Sequence, residues 1–148
     1  MKAGLLPQNV LEVTEKKVWT AKDIQFVLQS LKQNDLYLTN IVKCTGSNAD
    51  LPSVSKIRSQ SHLFLEELEI VQPKLIIAFG LLPFKALTRQ NIKLKYFFEL
   101  FKKSKLSFST QPLNEKSFPV IPCYFPVGRG NPKQAVEILQ LIQKSSVN

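Results

Sequence analysis

Two groups of residues in this sequence combine side chains that could recognise a nucleic acid. The first lies in the run LYLTNIVKC at residues 36–44, which carries Asn40 and Lys43 near its end. An Asn amide holds donors and an acceptor side by side, so it can read a base edge with two hydrogen bonds, and a lysine can serve a phosphate. The alternative for Asn40 is a polar residue that terminates a strand and bonds its own loop.

The second group is the loop FPVGRG at residues 125–130. Gly128 and Gly130 have no side chain, so the chain can approach a second backbone closely at both positions. Arg129 stands between them, and its planar guanidinium is suited to holding a phosphate.

The net charge of +9, from 20 basic and 11 acidic residues, favours an anionic partner, and nucleic acid is the commonest. Residues 85–116 hold eight positive and two negative charges, interleaved with aromatic side chains. One interpretation is a basic face whose aromatics meet nucleic acid. The other, which we favour for the aromatics, is an amphipathic helix with Phe97 and Phe101 inward and lysines in water.

Several classes of protein are disfavoured by composition. Cys44 and Cys123 are the two cysteines and lie far apart, and with the single His62 they make neither a disulfide framework nor a zinc site. We therefore expect no metal, no cofactor and reduced thiols in a cytoplasmic protein. No apolar run approaches the roughly 18–20 residues that cross a bilayer, and the N-terminus does not resemble a secretory signal.

Hydrophobic spacing predicts the elements that would position these groups. Thr20 is the expected N-cap of the first helix, with Asp23 in its first turn, and Pro132 is the expected first residue of the last helix. The predicted order is a helix at 21–33, strand 36–44, a helix to about 71, strand 75–79, a short helix at 82–88, the basic insert, strand 118–124 and a final helix.

The succession of strand, glycine and helix at residues 75–88 is typical of an α/β protein. We predict a three-layer αβα fold with a mainly parallel central sheet, in one domain at 1–148 whose first 18 residues are poorly defined. Because sites in such sheets gather beyond the carboxyl ends of strands, residues 40–43, Gly80 and residues 124–130 should converge.

The run YLTNIVKC resembles a signature strand of the uracil-DNA glycosylase superfamily, particularly its iron–sulfur bacterial and archaeal branch. The similarity continues through FLEELEIVQPK into LIIAFG at residues 64–80, and YFPV at 124–127 falls where the family usually carries a His-Pro-Ser segment. The resemblance covers residues 21–143.

The resemblance implies a uracil-DNA glycosylase-like protein that binds DNA, single- or double-stranded and uracil-containing, and excises a damaged pyrimidine base by base flipping. Asn40 matches the family's pyrimidine-reading asparagine. Phe125 opens the loop, through Gly130, that enters the minor groove and supports the flipped base. Flipping is expected because glycosidic chemistry cannot reach a stacked base.

The sequence also departs from the family. No Gly- and Pro-rich water-activating loop is found before Trp19, and Phe125 takes the place of a histidine that would donate to the leaving base. Cys44 matches one cluster ligand, but Ser61 stands at a second position and the N-terminal pair is missing, so no cluster is expected.

The remaining acids near the predicted site are Asp35, in a turn, and Asp50, in a polar loop. Solvated loop roles are commoner for both than catalysis. Two alternatives to a glycosylase therefore stay open. One is a catalytically inactive nucleic-acid-binding or protein-interaction module with the same fold, and the other is an α/β domain that binds a nucleotide or small molecule.

Overall fold

The computed structural model describes residues 4–43, 52–104, 107–112, 115–126 and 130–146, with the backbone alone at 54, 58, 104, 145 and 146. In these ranges the elements, in chain order, are α1 (Gln8–Thr14), α2 (Ala21–Gln33), α3 (Val54–Val71), β1 (Ile76–Phe79), α4 (Leu81–Thr88), α5 (Leu94–Ser104), β2 (Phe108–Ser109), β3 (Pro119–Cys123) and α6 (Pro132–Ser146). They fall into two compact units, Met1–Leu38 with Pro132–Asn148, and Thr39–Asn131.

The first unit contains α1, α2 and α6. Its buried apolar side chains come mainly from one face of α6, with Ala135, Ile138 and Leu139 almost fully buried, and from Val10 of α1. The sequence predicts no regular element within residues 1–18, but α1 forms there. Helix α1 has only seven residues, too short for hydrophobic periodicity to reveal it.

Helix α2 begins as predicted. The Thr20 hydroxyl accepts a hydrogen bond from the Asp23 backbone N–H at 3.2 Å, and the Asp23 carboxylate accepts one from the Thr20 N–H at 2.9 Å. This reciprocal capping box satisfies N–H groups that the helix itself leaves without partners.

The second unit contains a three-stranded sheet in the order β1-β3-β2. Strands β1 and β3 are parallel, with Phe79 opposite Cys123, and β2 is antiparallel to β3. A core of Phe64, Leu68, Ala78, Phe84, Leu87, Phe118 and Val120 joins this sheet to α3 and α4. The α/β class is confirmed, and the described sheet is small and mixed.

The predicted strand 36–44 is wrong over residues 36–43, the part that the structure describes. Helix α2 ends in a Schellman motif: Asp35 is left-handed at φ 52°, and the Leu36 N–H donates to the Leu31 carbonyl at 2.9 Å. Leu36 is thus held by the helix, and Tyr37 and Leu38 are exposed. Residues 39–43 continue without regular strand structure.

Strand β3 is central in the described sheet, although prolines such as its Pro119 and Pro122 are usually confined to edge strands or strand ends. Pro119 is the first residue of β3, opposite Ser109, where a missing N–H is tolerated. Pro122 pairs with Ala78 of β1 but lies beyond the two-residue β2. Its missing N–H therefore falls outside the part of β3 that pairs with β2, which begins only at Phe108.

Helix α5 confirms the amphipathic interpretation for its phenylalanines, whereas Tyr96 on the same helix is 68% exposed. Phe97, Phe98 and Phe101 are 2 to 3% exposed, and the ring of Phe97 lies 5.7 Å from that of Phe108 on β2. Burying each of these side chains contributes about 1.5–3 kcal/mol. None of the helices in the described ranges is long and apolar enough to span a bilayer.

Thr20→Ala is expected to lower the free energy of unfolding by about 1 kcal/mol, because it removes the side-chain acceptor at the α2 N-terminus. Urea unfolding followed by circular dichroism measures the change. Thr14→Ala is the matched control, since that exposed hydroxyl only donates to the Leu11 carbonyl. Equal effects of the two substitutions would contradict the capping role.

The Asp23 carboxyl should make stability fall at low pH. Hydrogen bonds from Lys16 and Thr20 lower its pKa from 3.8 to about 2. Its contribution is thus complete above the unfolded value, about pH 4, and lost as pH falls through about 2. Asp23→Asn should flatten this part of a stability–pH profile, and a profile as steep as that of the unsubstituted protein would refute the assignment.

Candidate nucleic-acid interface

The carboxyl ends of β1 and β3 lie side by side. The Gly80 N–H, just after β1, donates to the Cys123 carbonyl at 2.8 Å, which extends the parallel pairing by one residue. Gly80 has φ 92°, a conformation that side chains rarely adopt, and there the chain turns into α4. Two of the three predicted strand ends, at Gly80 and at Tyr124, therefore meet.

The loop after β3 begins with Phe125, whose side chain is 52% exposed. A Cβ at Gly130 would overlap the carbonyl oxygen of Phe125, so the two ends of the loop touch and only glycine fits there. The close backbone approach predicted for this glycine is therefore made within the loop itself. Gly128 and Arg129, the predicted phosphate-binding residues between these ends, lie outside the described residues.

The segment 39–43 lies along α3. The Thr39 hydroxyl donates to Glu67 Oε2 at 3.1 Å, and the Lys43 N–H donates to Gln60 Oε1 at 2.8 Å. The segment thus runs antiparallel to α3. Ile41 packs on the core that α3 shares with the sheet. Asn40, in the middle, is exposed, so its amide is accessible to a ligand.

Lys43 is engaged with its own unit. Its ammonium lies 2.5 Å from Glu67 Oε2 and 2.6 Å from Thr39 Oγ1, and it stands over the ring of Phe64 at 5.4 Å. The paired side chains of Lys43 and Glu67 are only 21% and 26% exposed. A phosphate approaching Lys43 would compete with a carboxylate that is already in place.

Burial controls the titratable groups at the β3 end. The Cys123 thiol is fully buried, which raises its pKa to about 12 and keeps it protonated and unreactive at neutral pH. The pKa of Tyr124 is raised by burial and, to a smaller extent, by the negative charge of Glu99. Both groups are therefore neutral under physiological conditions.

An iron–sulfur cluster, which the resemblance would imply, does not fit this chain. A cluster held by four thiolates needs four cysteines, and the sequence has two. Cys123 is buried and protonated, and the predicted second ligand position holds Ser61, an exposed hydroxyl on α3. Cys44 and the acid Asp50 lie outside the described residues, within which no group of three His, Cys, Asp or Glu could hold a metal.

Most of the positive charge belongs to the unit that carries these strand ends. By sequence, Thr39–Asn131 contains 13 basic and 6 acidic residues, a net charge of +7 out of +9. An excess of this kind attracts anions at long range and steers a polyanion toward the surface.

Sequence comparison identifies the class of protein. The model of the Uracil DNA glycosylase superfamily matches residues 6–143, which is most of the chain. The chain therefore belongs to the uracil-DNA glycosylase superfamily.

Within this superfamily, the chain is similar to two curated proteins named type-4 uracil-DNA glycosylase. The chain is 32% identical over 50 residues to a type-4 uracil-DNA glycosylase of Thermotoga maritima, covering 34% of this chain and 26% of the relative. It is 32% identical over 57 residues to a type-4 uracil-DNA glycosylase of Pyrobaculum aerophilum, covering 38% and 29%. The aligned part thus spans less than a third of either relative. No solved structure matches the chain.

Sequence reasoning missed the residues on α3 that hold the Asn40 segment. Gln60, Phe64 and Glu67 follow at i, i+4 and i+7, which places them on one face of α3. The Phe64 ring and the Glu67 carboxylate suit a lysine ammonium, and the Gln60 oxygen suits a backbone N–H. The i, i+4, i+7 spacing could have predicted that these three side chains share one face of α3. It could not have predicted which lysine they bind.

Glu67→Gln should destabilise the second unit by about 1 kcal/mol, because it leaves the Lys43 ammonium without its carboxylate partner. The loss should shrink in high salt, which screens partly exposed charges. Glu66→Gln, at the exposed neighbouring position, is the control and should have little effect. Urea unfolding at low and high salt measures both, and equal losses would argue against a specific pair.

Proposed function

We propose that this protein is a uracil-DNA glycosylase-like protein that binds DNA and takes a flipped pyrimidine at the site formed by Asn40 and the loop 125–130. Family membership across residues 6–143 is the observation that carries the proposal. The exposed amide of Asn40 supports it, since an amide not shielded by the protein can meet the edge of a base. The wider, mainly parallel αβα sheet and a single domain belong to the same proposal.

In this proposal each predicted residue has its own task. Asn40 reads the pyrimidine edge, the exposed ring of Phe125 supports the flipped base, and Gly128, Arg129 and Gly130 bring the loop against the phosphate backbone. Because Lys43 is paired with Glu67, its first role is to fix the segment that carries Asn40.

A second candidate function, recognition of DNA without excision, is favoured by one observation. Excision needs groups that stabilise a departing anionic base and a developing cation. The side chain after Tyr124 is Phe125, which cannot donate a hydrogen bond, and the nearby Cys123 thiol is buried and protonated. Phe125 thus provides binding surface at the β3 end but no side-chain donor to the leaving base.

The two candidates separate in one experiment. The protein is incubated with matched single- and double-stranded DNA, with or without one uracil, and abasic sites are counted while binding is followed by fluorescence anisotropy. Abasic sites confined to uracil-containing DNA establish excision. Tighter binding to uracil-containing DNA without abasic sites establishes recognition alone, and no preference for uracil contradicts both.

Asn40→Ala should abolish the preference for uracil-containing over uracil-free DNA, because the hydrogen bonds to the base edge are lost. Affinity for uracil-free DNA should change less than twofold, since it depends mainly on phosphate contacts. Asn9→Ala, on the exposed surface of α1, is the matched control. If the preference survives in the Asn40 variant, the residue does not read the base.

A further inference from the structure

We infer that the outer face of helix α5 is a second DNA-contacting surface, on which Lys95, Lys102 and Lys103 bind the phosphate backbone beside the base site. The inference rests on the proposed function, because it takes DNA as the partner. It goes beyond that function, because the proposed base recognition does not involve α5.

Helix α5 is held at the carboxyl end of β3. The ring of Phe98 meets the ring of Tyr124 edge-on, with centroids 6.1 Å apart, and Tyr124 is the first residue after the strand. Phe97 packs on Phe108 from the same helix face. The next residue after Tyr124 is the exposed Phe125, so α5 borders the edge where a base would enter.

The charged residues of α5 share the face opposite its buried aromatics. Lys95, Glu99 and Lys102 follow at i, i+4 and i+7, and Lys103 lies four positions after Glu99, so all four are neighbours on the helix surface. All four are exposed. The Lys102 ammonium stands 4.5 Å from the centre of the Phe98 ring and 2.9 Å from Glu99 Oε1, and these two contacts hold it over the Phe98 ring.

A phosphate backbone suits this face better than a lipid surface. A helix that binds a membrane inserts its apolar side, but the apolar side of α5 is already buried in the unit. Three ammonium groups face one carboxylate, within a unit whose net charge is +7. Lys95 and Lys102 are separated by about 10 Å along the helix, close to the rise of about three base pairs, so both can reach one strand.

The test measures binding to uracil-free duplex DNA by fluorescence anisotropy over a series of salt concentrations. The test variant combines Lys95→Gln, Lys102→Gln and Lys103→Gln. The matched control removes the same charge at exposed lysines of the other unit, through Lys22→Gln, Lys32→Gln and Lys133→Gln.

The α5 variant should bind at least about tenfold more weakly at low salt, and its slope of log affinity against log salt should be smaller by about 2 to 3, since each phosphate contact contributes about 0.9. The control should change the slope by less than about 1. A far-ultraviolet circular dichroism spectrum like that of the unsubstituted protein checks that the α5 variant is folded.

Glu99→Gln should change the DNA affinity in the opposite direction. Removing the carboxylate beside Lys95 and Lys102 should tighten binding to the same DNA several-fold, a gain that misfolding cannot produce. Unchanged or weaker binding by this variant would overturn the inference, because an anion on a phosphate-binding face must oppose the ligand.

The outcomes also separate this inference from the proposed function. If the protein prefers uracil-containing DNA but the α5 variant and the control have equal slopes, the α5 inference fails and base recognition stands. If α5 controls the slope but the protein shows no preference for uracil, base recognition fails and the α5 surface stands. Stronger dependence of anionic-vesicle binding than of DNA binding on the α5 lysines would overturn the choice of partner.

Discussion

The parallel pairing of β1 with β3 is the constraint on which the candidate interface depends. It places Phe79 beside Cys123 and brings Gly80 against the end of β3, so two chain segments leave the sheet at the same edge. The β1–β3 pair packs on a core in which Val120 and Phe84 are completely buried. Because α4 starts at Gly80 and α5 packs on Tyr124, both helices take their places from this one pairing.

The ion pair of Lys43 with Glu67 holds a third segment, residues 39–43, in place. Residues 39–43 have no regular strand structure, so backbone pairing does not hold them, and their position depends on Ile41 in the core and on Lys43 with Glu67. Such a pair gains from being only partly exposed, since solvent screens it less than a surface ion pair. The segment that carries Asn40 is therefore held through side chains, and an exposed amide can lie between two anchored residues without taking part in the anchoring.

Local signals in the sequence predicted most helices and two of the three described strands. Thr20 with Asp23 at α2 and Pro132 at α6 act within one turn of backbone, so residue type alone identifies them. The strand predicted at 36–44 is wrong over 36–43, because apolar and β-branched composition does not reveal that the C-terminal motif of α2 binds the Leu36 N–H. Site chemistry follows the same division: Gly130 could be found from residue type, whereas the pairing of Lys43 depends on contacts between distant residues.

In the proposed site, Phe125 would separate base binding from base excision. Replacing a polar donor with a phenyl ring removes a hydrogen bond to the leaving base, but it adds an exposed apolar surface that gains by being covered. The flat face of a flipped or unstacked base can cover such a surface. Aromatic side chains stack on bases in this way without discriminating between sequences. In the proposed site, Asn40 would then supply discrimination, Phe125 would supply stacking, and basic residues would supply affinity for the backbone. Each of these terms can persist when the chemical step is lost, so membership of a glycosylase family supports DNA recognition by this chain more strongly than it supports bond cleavage.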